Sequence, residues 1–142
     1  MHKARQGKEL VVRMANEVDA LAKVSKLIAE KGVNILAMSC WEENGHTMMR
    51  LVTDDMLRTS DVLRENGYGP DEKDVVLVYA AHKPGVLRHI TDVLARHDIT
   101  LSHLFASATI DQDECLVVLN SSKNDRAIVL LVYAAHKPGV LR

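Results

Sequence analysis

Seven histidines and two cysteines are the side chains of this 142-residue chain best suited to hold a metal or act as nucleophiles. His82, His89, His97 and His103 crowd into the second half. His89 and His97 fall on one expected helix, but a rise of 1.5 Å per residue separates them by about 12 Å, too far to share an ion. No Cys-x-x-Cys or His-x-x-x-His spacing occurs, so the histidines read as solvated and no metal is expected. Cys40 and Cys115 lie far apart in apolar, strand-like runs with no base nearby in sequence. They read as free, buried thiols of a reducing, cytoplasmic protein. Nucleophile-elbow, phosphate-loop and dinucleotide-binding glycine patterns are missing from the sequence. No catalytic residue and no cofactor follow from it.

One stretch keeps a chemical reading: His82-Lys83-Pro84-Gly85-Val86-Leu87, between an apolar run and an amphipathic one. Proline fixes φ at a turn and donates no backbone hydrogen bond. Glycine lets a ligand or a neighbouring backbone come close. A helix starting there presents unpaired N–H groups and partial positive charge, which suits a carboxylate.

Elements must position that turn. Residues 9–15 read as a strand, with residues 1–8 a tail before it. Asp19 is placed to cap a helix with Leu21, Val24, Leu27 and Ile28 on one face and Lys23, Lys26, Glu30 and Lys31 on the other. Gly32 ends it, and strand character returns over 33–42. Asn44-Gly45 predicts a two-residue hairpin, with 46–53 returning. Asp54 and Asp55 precede a helix over about 56–66, stopped by Gly67. Residues 69–73 hold a proline and read as a linker or a poor edge strand. Then the series restarts: strand 75–81, the turn, a helix through Ile90, Val93 and Leu94, strand 99–109, a polar tip at 111–114, strand 115–120, and a helix from near Arg126.

A shift of 66 residues lays Leu21 on Leu87, Val24 on Ile90, Ile28 on Leu94, Val33 on Ile99 and Ile35 on Leu101. The halves repeat a β-α-β-β-α unit, and right-handed crossovers make each an antiparallel sheet with both helices on one face. With Pro84-Gly85-Val86-Leu87 before a helix and Asp98-Ile99-Thr100-Leu101 after it, the second half resembles the ACT domain. The first half is similar to it through Leu21-Ala22-Lys23-Val24 and Lys31-Gly32-Val33-Asn34-Ile35. The resemblance implies an α+β protein of two ferredoxin-like βαββαβ domains, residues 9–74 and 75–142. It also implies a non-catalytic regulatory module for an amino acid or related metabolite. Its ligand residues would be His82, Lys83, Pro84, Gly85, Val86 and Leu87, completed by Ile99, Thr100 and Leu101 or by Asn34 and Ile35 of the same or a paired domain. A homodimer through sheet or helix pairing is expected. The first turn departs from the pattern: Val18-Asp19 stands in place of Pro-Gly, and its carboxylate would oppose an incoming one.

Eighteen basic against nineteen acidic side chains leave no bulk charge for nucleic acid or a membrane surface, and no apolar run is long enough to span a bilayer. RNA-recognition modules share the topology, but the strand expected at 115–120 lacks their basic residues. A ligand-free interaction module is the alternative, since exposed sheet edges can pair.

Residues 131–142 repeat 77–88 letter for letter. Twelve identical residues, beside halves that agree elsewhere only in class, point to a recent duplication or a cloning or sequencing error. The copy begins 54 residues after the original, so the second domain lacks room for its own fourth strand. Val129 to Ala135 has strand propensity and could fill that edge, or could fray.

Overall fold

In the computed structural model, which describes residues 3–107 and 113–136, the chain forms two compact units. One comprises residues 8–73; the other combines the leading residues up to Gly7 with those from Asp74 onward.

The first unit holds β1 (Lys3–Ala15) from Lys8 on, α1 (Ala20–Glu30), β2 (Ile35–Glu43), β3 (His46–Thr53), α2 (Met56–Glu65) and the start of β4 (Asp71–Ala81). Its strand order is β2-β3-β1-β4, the ferredoxin-like order. Leu10 faces Leu51 and Val12 faces Met49 in an antiparallel ladder. These side chains meet Val24 and Ile28 of α1 and Val62 and Leu63 of α2 in one core. Asn44 and Gly45 both have positive φ, as a type I′ hairpin requires. At the end of α1 the Gly32 and Val33 N–H groups return to Ala29 and Ile28, and at the end of α2 those of Gly67 and Tyr68 return to Arg64 and Leu63. Both helices thus close with paired carbonyls.

The second unit holds the rest of β4, α3 (Val86–Arg96), β5 (Leu101–Ala106), β6 (Glu114–Ser121) and α4 (Asn124–His136). Val76 faces Leu119 and Val78 faces Val117, packing against Ile90, Val93 and Leu94 of α3 and Ala127 and Leu131 of α4. Its strand order is β5-β6-β4, with the leading residues of β1 beyond β4. The same four-strand order therefore occurs twice. Three of the pairs aligned by the 66-residue shift are buried alike: Val24 and Ile90 at 0%, Ile28 and Leu94 at 0% and 1%, and Val33 and Ile99 at 7% and 4%.

Several expectations are corrected. The strand starts at Lys3, not Glu9, because residues 3–7 have a strand of their own to pair with. Of the two readings of residues 69–73, the edge strand holds: Asp71–Lys73 start β4, last in the first unit's strand order. Asp19 stands at the start of α1, yet its side chain makes no capping bond; it reaches Lys23 at 3.3 Å instead. That carboxylate, more than any other group, holds the Lys23 ammonium above the ordinary lysine range. Cys115 is buried as expected, but Cys40 is exposed. It lies on β2, at the end of the strand order, opposite Met49 of β3.

The largest correction concerns the copied segment. Leu131–His136 is not an edge strand but the last turns of α4, whereas Leu77–Ala81 lies in β4. Residues 137–142 of the copy lie outside the described residues, as does most of the expected 111–114 tip. Sequence-local preference is identical in the two places, so tertiary context decides. Upstream, Asn124 accepts from the Ser121 N–H at 2.8 Å, and the helix started there carries Leu131 onto the core one turn after Ala127. Leu131 occupies the place Leu63 has in the first unit, allowing for two extra residues in the β5–β6 hairpin. The edge that a strand would have filled is already taken by Lys3–Gly7.

Candidate functional site

The turn at 82–85 is pinned at both ends. The His82 N–H donates to the Asp113 carbonyl of the β5–β6 hairpin. Val86 N–H donates to the Lys83 carbonyl at 3.3 Å, and His89 N–H to the Gly85 carbonyl at 3.0 Å, the first full helical bond of α3. Gly85 has φ 90° and ψ −7°, a left-handed conformation that disfavours any side chain at the helix N-cap. A Cβ built on it would meet no atom of the described residues within 4 Å.

No side chain caps α3, and its first turn carries no acidic residue. The N–H groups of Leu87 and Arg88 point out of a helix start, where no intrahelical acceptor exists. Lys83 and Arg88 are exposed beside them, and Arg88 reaches Asp92 at 3.5 Å. The helix dipole and two cations therefore make the turn favourable to an anion. The corresponding turn of the first unit has the opposite character. Val18 there is fully exposed, and Glu17 and Asp19 place two carboxylates around Lys23.

The remaining candidates do not join the turn within their own unit. Val86 packs partly against the core and Leu87 is 46% exposed. Ile99 is a core residue. Thr100 and Leu101 follow α3, at its far end; eleven residues of helix span roughly 16 Å. Thr100 is exposed, with its N–H on Ser122 Oγ at 3.2 Å and its carbonyl accepting from Ser122 N–H at 2.9 Å. Asn34 holds the equivalent place in the first unit. Its N–H and Nδ2 donate to the two Asp54 carboxylate oxygens at 3.0 and 3.1 Å, and its carbonyl accepts from Asp54 N–H. Ile35 beside it is 36% exposed. Asn34 and Thr100 thus clasp the loop before α2 or α4, a role that sequence spacing does not reveal. Asp113, whose carbonyl fixes His82, was likewise not legible as part of the turn.

Among the described residues, no group of histidine, cysteine and carboxylate side chains could hold a metal ion. A shallow groove of about 270 Å³ between α1 and the end of α2 is lined by Lys23, Lys26, Leu27, Glu30, Asn66 and Tyr68. None of the described helices is long and apolar enough to cross a membrane.

Comparison with known proteins agrees with the fold. The sequence pattern of the ACT domain pair matches residues 6–136. A structure from Bacteroides thetaiotaomicron superposes with TM-score 0.82 at 20% identity, covering 94% of this chain and 91% of that one. The regulatory subunit of aspartate kinase from Thermus thermophilus, in a ligand-free form, superposes with TM-score 0.63 at 11% identity, covering 92% and 95%. Its counterpart from Thermus flavus gives 0.56 at 12%, covering 94% and 95%. At these identities the likeness is one of fold. No curated protein matches the chain in sequence.

Proposed function

The chain belongs to the ACT domain pair family, and on that premise we propose that it is a non-catalytic regulatory module that binds an amino acid or a related small carboxylate at the turn His82–Leu87. The observation that carries this reading is the left-handed, side-chain-free N-cap at Gly85, clear of the other described residues and flanked by Lys83 and Arg88. The ligand carboxylate accepts from the Leu87 and Arg88 N–H groups. Its ammonium needs carbonyl or hydroxyl oxygens, which the turn alone does not supply. Those come from the loop and strand start of a paired domain in a second copy, at Thr100-Leu101 or Asn34-Ile35. Ile99 and Val86 act from the core, by holding that backbone in place.

Binding at such a shared site favours one domain pairing over another, which is how the module would regulate. A thermal-shift screen against the amino acids tests the proposal. One ligand should raise the melting temperature, and Gly85→Asp should remove that shift by placing a carboxylate where the ligand's must sit. Asp19→Gly, in the first unit, should leave the shift intact. A shift that survives Gly85→Asp would move the site elsewhere.

A further inference from the structure

The leading segment Lys3–Gly7 lies in the second unit, beside β4, although the rest of β1 belongs to the first. Its contacts alternate as a strand's must. Gly7 lies against Leu77: a Cβ built there would come within 2.4 Å of Leu77 Cδ1 and 2.8 Å of its Cγ. Two residues earlier, the Arg5 guanidinium lies 5.8 Å from the centre of the Tyr79 ring, and its Nη2 donates to Tyr79 Oη at 3.3 Å. These two contacts share one face of the sheet. Ala4, on the other face, packs against the second core. The contacts step in opposite directions along the two strands, so the pairing is antiparallel.

Among the described residues Lys3, Arg5 and Gln6 are exposed, whereas Leu116, Val117, Val118 and Leu119 of β6 are at most 2% exposed. Segments with few buried contacts open before the core does. We propose that the β4 edge of the second unit is a strand-binding site whose resident occupant is Lys3–Gly7, held as a releasable latch. The site selects a strand by three features: glycine opposite Leu77, a cation over Tyr79, and a small residue at the Ala4 position. Once vacated, the edge accepts the same segment from a second copy.

Native-state hydrogen exchange on the unaltered chain reads the release directly. The amides of residues 4–7 should exchange together and at least tenfold faster than those of Leu116–Leu119. Exchange of both sets at one common rate would overturn the proposal. Selectivity is read with a synthetic peptide spanning residues 3–9, added to the full-length Gly7→Val chain, in which the added side chain ejects the latch. By NMR the peptide should bind this variant at least tenfold more tightly than the wild-type chain, whose own segment competes at high effective concentration. A Gly7→Val peptide should not bind, and an Arg5→Ala peptide should bind several-fold more weakly. Equal uptake by both chains, or binding indifferent to Gly7 of the peptide, would refute the selectivity. If Gly7→Val does not fold, the exchange measurement on the wild-type chain decides alone.

Discussion

Replacing Val129 with proline separates the helical α4 from every strand or tail alternative for the copied region. Val129 is 66% exposed, so its side chain contributes little packing. It lies inside the helix Asn124–His136. Proline there removes the N–H that bonds the carbonyl of Asp125 and sets its ring against that carbonyl, which costs about 3 kcal/mol or more. The break lies between the buried Ala127 and the fully buried Leu131, so the loss includes part of the roughly 2–5 kcal/mol that removing a core leucine costs. For a chain of this size, 1 kcal/mol shifts the melting temperature by a few degrees, and the expected fall is on the order of 10 °C. Thermal denaturation followed by circular dichroism measures it. Val129→Ala serves as control and should stay within about 0.5 kcal/mol of wild type. An edge strand tolerates proline, and a frayed tail ignores it. A proline variant melting within about 2 °C of wild type would therefore refute the helix and the seating of Leu131.

Other outcomes follow from single residues. Asp98 closes α3 with φ 55°, and its N–H and that of Ile99 return to Ala95 and Leu94; Asp98→Gly relieves the left-handed strain and should stabilise by up to about 1 kcal/mol in chemical denaturation. Asp54→Ala removes both carboxylate acceptors of Asn34 and should cost about 1–2 kcal/mol, chiefly in the first unit; no change in its denaturation midpoint would remove the clasp from the account. A thiol reagent should label Cys40 at once and Cys115 only as the chain opens. Burial pushes the Cys115 thiol above its ordinary range, and two equal labelling rates would contradict that difference.

The repeat was legible because it rests on core periodicity. Val24 and Ile28, like Ile90 and Leu94, recur at helical spacing, and burial enforces that spacing whatever the surface does. The turn was legible because Pro84 and Gly85 constrain backbone angles through their own covalent structure. Three things were not legible. Lys3–Gly7 is polar, and as an edge strand it needs only backbone pairing and a glycine opposite Leu77, which leaves no apolar alternation to read. The Asn34–Asp54 clasp joins loops twenty residues apart and has no period. The copied hexapeptide Leu-Val-Tyr-Ala-Ala-His carries strand propensity in both places, so only its neighbours distinguish β4 from α4. Upstream capping at Asn124 and an edge already occupied are facts of the whole fold.

The central claim is that a ligand carboxylate binds the open start of α3. Titrating the chain with individual amino acids, while following backbone amide resonances by NMR, tests it most directly. The account predicts that at least one amino acid shifts the Leu87 and Arg88 amides saturably, with the Asp19 and Leu21 amides of the first turn unmoved. An amino acid that binds and leaves Leu87 and Arg88 unshifted, or a full set that binds nowhere, would contradict it.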